Sequence, residues 1–128
     1  VMPGLAANDF GDSIRFGAST ASEDEKDLSR VTMSLELFET YTEGFLSACG
    51  ARLTQAEIDT LPLGAKLMTL ECGSRFLADY LNGDIYFHVS REGHNLDRAR
   101  TQMKLVADME AKWDRMNAIV QEAAQKVR

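Results

Sequence analysis

The stretch from Leu61 to Phe87, LPLGAKLMTLECGSRFLADYLNGDIYF, constrains the fold more than any other part of the chain. Pro62 suits the first turn of a helix, where a missing N–H costs nothing, and Asn82-Gly83 suits its end. Between them, Leu63, Leu67, Leu70, Leu77 and Leu81 recur at spacings of three, four or seven, which places them on one helical face. Ala65, Cys72, Phe76 and Tyr80 fall on roughly the opposite side. Only a narrow sector between these faces is charged, with Glu71, Arg75 and Asp79 one turn apart. A helix that is apolar on two sides is expected to be buried. A charged row on such a helix must either pair internally, as an ion ladder, or line a cavity.

The chain has 128 residues, which suits one domain or part of one and can bury roughly two-thirds of its unfolded surface. Its net charge of -6 argues against general nucleic-acid binding, which needs a basic footprint. No run approaches the length of a membrane span, and no secretory signal is visible. Cys49 and Cys72 lie in helical patterns without metal-ligand spacing, and reduced thiols in a cytoplasmic protein are expected; a disulfide between them stays open at this level.

Read in order, Val1 to Ala7 is an apolar turn around Pro3-Gly4, and Asn8 or Asp9 could cap a short helical turn through Asp12 and Arg15. Asp9-Phe10-Gly11 spells a kinase metal motif, but no catalytic loop precedes it, and capping or turn formation is the expected role of Asp9. Ser19 to Arg30 reads as a solvated acidic loop. Val31 to Cys49 reads as an amphipathic helix with Val31, Ser34, Leu37, Phe38, Tyr41, Phe45 and Ala48 on one face and Gly50 as its stop. Thr54 with Glu57 is a capping-box pattern. Gly73, in the middle of the central helix, points to close approach of another helix. Gly83 to Gly93 is the one strand-like stretch, expected as an extended loop carrying Tyr86. Asn95 caps a long final helix whose inner side is Ala99, Met103, Val106, Met109, Trp113, Met116 and Val120. Methionines at helical spacing are usually core, with a partner groove as the other possibility.

Complete catalytic machinery is not visible. The sequence has no GxxxxGKS/T loop, GxSxG elbow, HExxH or HxD loop. His88 and His94 have no second histidine or carboxylate at ligand spacing, so surface or capping roles are expected, with substrate contact as the alternative. No metal ligands are assigned.

Three stretches together, VMPGLAANDFGDSIRFGAST, LPLGAKLMTLECGSRFLADYL and GDIYFHVSREGHNLDRARTQMKLV, resemble the C-terminal part of bacterial N-acetylhexosamine 1-kinases, members of the aminoglycoside-phosphotransferase and choline-kinase group. The resemblance runs from Val1 to about Ala118. It implies a mostly α fold: the helical C-terminal subdomain of a protein-kinase-like fold, with a long buried central helix, a short extended loop and a long C-terminal helix, residues 1–128 forming one subdomain. In that family the catalytic and metal-binding aspartates lie upstream of the segment matching Val1, so the resemblance implies a fragment with no catalytic residue of its own. Asp9 and Asp12 become structural. The family's sugar pocket uses an arginine and a tyrosine at the positions of Arg75 and Tyr86, which the resemblance makes substrate-binding. Glu71 and Asp79 would steady the Arg75 guanidinium through contacts one turn away, and Trp113 is a further candidate to close the pocket or anchor the core.

The function implied is recognition of an N-acetylhexosamine acceptor (N-acetylglucosamine or N-acetylgalactosamine) for phosphorylation of its anomeric hydroxyl. ATP and Mg2+ would be bound by the upstream kinase portion. No nucleic-acid or membrane partner is expected, and self-association of the fragment is. The alternatives are a free-standing helical interaction module using the methionine face of the last helix, and a kinase-like protein with a different acceptor.

Overall fold

Pro3 opens the first helix, α1 (Pro3–Gly17), in the computed structural model, which describes the backbone of residues 3–127 and the side chains of residues 6–127. Val1 and Met2 of the expected apolar turn lie outside the described residues. The rest of that turn is helix, and Asn8, Asp9 and Asp12 sit within α1 rather than capping it. The reason is packing: Phe10 and Ile14 are each 1% exposed, four residues apart on the inner face of one continuous helix. Asp9-Phe10-Gly11 owes its meaning to the same contact. Phe10 fills the core, and Gly11 lets α1 touch the helix that follows below.

Five further α-helices are described: α2 (Leu35–Cys49), α3 (Gln55–Asp59), α4 (Leu61–Leu81), α5 (His94–Ala111) and α6 (Trp113–Lys126), with short 3-10 turns at Leu28–Arg30 and Gly50–Arg52. Among the described residues there is no strand, only an isolated antiparallel bridge between Ser19 and Met33. The chain is mostly α. Helix α4 is packed between α1 and α5, and α2 lies against α6 and α1. Phe38, Leu46, Ile58, Leu61, Leu105, Met109 and Met116 meet at the centre, each contributing about 1.5–3 kcal/mol on burial.

Local signals explain the helix boundaries. The Ser34 hydroxyl accepts the Leu37 amide at 3.2 Å and starts α2. Thr54 and Glu57 form the reciprocal capping box that starts α3. Pro62 stands in the first turn of α4, and Asn82 and Gly83, with Gly83 at φ 97°, end it. Gly50 closes α2 with right-handed backbone, φ -59°, so conformational freedom is not its role. A Cβ there would lie 2.9 Å from Val127 Cγ2, and close packing is what requires glycine.

Four expectations are corrected. First, α4 is buried on one side only. Its inner side is Gly64, Ala65, Thr69, Gly73 and Phe76, small residues that admit neighbouring helices, while Leu63, Leu67, Leu70, Leu77 and Leu81 remain 38–73% exposed. A Cβ on Gly11 would lie 2.3 Å from Gly64 O, and one on Gly73 would lie 2.7 Å from Met103 Cε, so α1 and α5 both approach α4 through its glycines. Second, Val31 belongs to no helix. Residues 18–34 form an irregular strap with one 3-10 turn at Leu28–Arg30; its Ala18, Val31 and Met33 are fully buried, and α2 begins only after Ser34. Its inner positions are Phe38, Thr42 and Leu46, leaving Leu37 and Tyr41 exposed.

Third, the acidic loop within that strap is tethered. His94 Nε2 donates to Asp24 Oδ2 at 2.9 Å, and Arg15 pairs with Glu23 at 2.5 Å. Lys104 Nζ donates to Val31 O at 2.9 Å, and Asp108 Oδ2 accepts the Met33 amide at 2.6 Å. Fourth, the final helix breaks at Lys112, whose φ -107° and ψ 15° leave the helical range, and whose ammonium donates to Met33 O at 2.7 Å. The break lets α5 lie on α4 while α6 lies on α2. The methionine face is core: Met109 and Met116 are fully buried, which removes them as a partner surface.

Candidate functional site

At the C-terminal end of α4 a buried carboxylate organises the following loop. Asp79 Oδ1 accepts the amides of Ile85 at 3.1 Å and Tyr86 at 2.7 Å, and Oδ2 accepts the Phe87 amide at 3.0 Å. Oδ2 also accepts Asn95 Nδ2 at 2.7 Å, from the first turn of α5. Burial by itself would raise the Asp79 pKa. The Tyr86, Phe87 and Ile85 amides and the Asn95 side chain outweigh it and hold the carboxyl below its ordinary value. With both oxygens engaged and its basicity lowered, Asp79 positions the loop and is poorly suited to take a proton.

The clasp fixes the loop's path. Gly83 at φ 97° and Asp84 at φ 60° turn the chain back, a conformation that aspartate tolerates better than most residues. Asp84 Oδ1 accepts the second Asn95 Nδ2 proton at 3.0 Å. The Phe87 ring then lies on Phe76, centroids 4.7 Å apart, and Tyr86 meets Phe87 edge-on at 4.9 Å. Arg98 closes the underside, donating to His88 O at 2.9 Å and Asn95 Oδ1 at 3.0 Å. At the far end, the Ser90 amide donates to His94 Nδ1 at 3.1 Å, which assigns the imidazole proton to Nε2 and to Asp24.

Arg75 and Tyr86 come together over this clasp. The Arg75 guanidinium carbon is 5.6 Å from the centroids of both the Tyr86 and Phe87 rings. With Ala78, Asp79 and Asn82 they line an open cleft of about 300 Å³. Tyr86 is 74% exposed and Arg75 is exposed as well, so a guanidinium, a ring face and the Asn82 amide all face solvent. Such a set can hold a polyhydroxylated ligand by hydrogen bonding and stacking.

The supporting residues differ from expectation. Among the described residues neither Glu71 nor Asp79 forms an ion pair with Arg75. Glu71 is exposed and Asp79 is turned toward the loop, so neither an ion ladder nor a carboxylate brace exists. The aromatic rings hold Arg75 instead, an interaction worth about 0.5–1 kcal/mol at an exposed site. Trp113 is absent from the cleft: it packs half-buried on the core, with Lys66 Nζ 5.5 Å from its ring.

Asn95 was expected as a helix cap. Gly93, at φ 75°, occupies the cap position, and Asn95 is a fully buried bridge between Asp79 and Asp84. Phe87 and Asn82 are the other contributors that the sequence reading did not single out. The left-handed pair Gly83-Asp84 was the one available signal that the loop turns back on α4.

Cys49 and Cys72 are free thiols, each with its pKa raised by burial. Among the described residues no group of three or more His, Cys, Asp or Glu side chains is placed to hold a metal ion. No described helix is long and apolar enough to cross a membrane. No protein-family model matches the chain.

Proposed function

We propose that this chain is the acceptor-binding helical part of a cytoplasmic sugar phosphotransferase resembling the N-acetylhexosamine 1-kinases. The observation that supports the reading is the convergence of Arg75 and Tyr86, from α4 and from the loop after it, on one open cleft. In this proposal the Arg75 guanidinium donates to acceptor hydroxyls or to an acetamido oxygen, and Tyr86 offers its ring face and hydroxyl. Asp79 and Asn95 act one step back, holding Tyr86 and Phe87 in place through the loop backbone. The catalytic aspartate, ATP and Mg2+ belong to an upstream kinase portion. The cleft selects the acceptor and takes no part in phosphoryl transfer.

The test is steady-state kinetics on the chain joined to its kinase portion. Arg75→Ala removes a charged donor worth about 1.5–3 kcal/mol, so the acceptor KM rises roughly 10- to 100-fold while that for ATP stays unchanged. Tyr86→Phe raises the acceptor KM by a smaller factor. Unchanged acceptor kinetics in both variants would overturn the assignment.

A further inference from the structure

The exposed side of α4 carries a pattern that the sugar cleft does not use. Leu63, Leu70 and Leu77 are spaced by sevens, and Leu67, Ser74 and Leu81 interleave with them at alternating steps of three and four. In heptad terms the first set holds the d positions and the second the a positions of three successive repeats. All five leucines are 38–73% exposed, and Ser74 is exposed with them. The residues flanking this seam are equally regular. Lys66 and Gly73 occupy g positions, and Gly64, Glu71 and Ala78 occupy e positions. Gly64 and Gly73 are the points where α1 and α5 pack, so the seam lies between two supporting helices.

From this we propose that two copies of the chain associate through α4 as a parallel, in-register coiled coil. Charge selects the arrangement. A parallel pair brings each g residue to the e residue five positions later on the other helix. Lys66 of one copy therefore meets Glu71 of the second, twice by symmetry. Among the described residues Glu71 makes no ion pair, and Lys66 pairs with Glu110 alone, 3.7 Å away and 57% exposed. Antiparallel pairing sets e against e and g against g, which gives neither lysine a carboxylate. Ser74, polar at a central a position, would face its own copy only when the helices are in register.

The area is adequate for a modest dimer. A helix of 21 residues is about 32 Å long, and covering its leucine seam on both copies removes on the order of 1,000 Å² from water. That is the lower bound for a specific interface, so a weak, reversible dimer is expected. The sugar cleft stays outside the seam, because Arg75 and Asn82 lie at b positions. The proposal does not depend on what that cleft binds.

Sedimentation equilibrium of the chain tests it, with oxidative cross-linking to read the orientation. The wild-type chain is expected to be a dimer at tens of micromolar, and Leu70→Glu a folded monomer by circular dichroism. Lys66→Glu and Glu71→Lys each weaken the dimer severalfold, and the Lys66→Glu/Glu71→Lys double variant restores it. Leu63→Cys forms a disulfide with its own copy, whereas the wild-type chain, with Cys72 on the opposite side of α4, does not. A wild-type monomer at all concentrations, left for another polypeptide to cover, overturns the proposal. So does a dimer indifferent to Leu70→Glu, or cross-linking of Leu63→Cys to Leu81→Cys in place of itself.

Discussion

Adding one methyl group at Gly64 should destabilise the fold, and adding one at Gly44 should stabilise it. Both glycines lie inside helices, where alanine is intrinsically preferred by about 1 kcal/mol. Their surroundings differ. A Cβ on Gly64 would stand 2.3 Å from Ala7 O and 2.8 Å from Ala7 C, whereas one on Gly44 would meet nothing within 4 Å. The obstruction at Gly64 is backbone, which cannot rotate away, so α1 and α4 must separate by about 1 Å along their main contact. Overpacking of this kind costs about 1–3 kcal/mol, occasionally more, and here it also loosens Phe10 and Ile14 beneath the crossing. Net of the propensity gain of about 1 kcal/mol, Gly64→Ala should lose up to about 2 kcal/mol and lower Tm by several degrees. Gly44→Ala should gain about 0.5–1 kcal/mol. Urea titrations with unchanged m-values would measure both. A Gly64→Ala variant as stable as Gly44→Ala would refute the close α1–α4 crossing and the placement of α4 that depends on it.

Two further predictions concern the loop and the thiols. The Asp79 carboxyl has a folded pKa below its ordinary value of 3.8, so its contribution is fully present above that value and is lost as pH falls below it. Acidification through that range should release hydrogen-exchange protection at Ile85, Tyr86 and Phe87; Asp79→Asn should release the same amides already at neutral pH, with the middle of α4 unaffected. Because burial raises both thiol pKa values, Cys49 and Cys72 should react with a disulfide reagent at pH 8 severalfold more slowly than a free thiol; denatured protein should show both at the ordinary rate.

Much of the helical framework could be read from local chemistry. Pro62, Asn82-Gly83 and the Thr54–Glu57 box act within a few residues, so each is visible in sequence and each bounds a helix as read, whereas Ser34, read as part of a helix face, proves to be the cap of α2. The close approach at Gly73 was also legible, since an interior glycine needs a reason. What escaped depended on distant partners. The break at Lys112 has no proline or glycine, and Met109 and Met116 continue one seven-residue spacing through it, so periodicity reads straight across. The pull comes from Met33 O and Asp108, on which the lysine closes. Val31 falls in step with the apolar face of α2, yet the clamp from Lys104 and Asp108 holds it and Met33 extended.

The faces of α4 were misjudged because leucine counts for more than glycine in any hydrophobic pattern. Small residues let helices approach, and the bulky leucines are left outside. In the cleft, Arg75 and Tyr86 converge, but Asp79 does not brace the guanidinium. Its position one turn from Arg75 suggested an ion pair, whereas three successive amides beyond the helix end form a better-matched set of donors.

The sugar reading is tested most directly by titrating the 15N-labelled chain with N-acetylglucosamine and following its amide and arginine side-chain resonances. The account predicts saturable shifts confined to Arg75 Nε, Asn82, Tyr86 and Phe87, absent from the Arg75→Ala variant while its remaining spectrum is unchanged. Saturable shifts that cluster elsewhere, or none at the cleft up to high millimolar sugar, would contradict it.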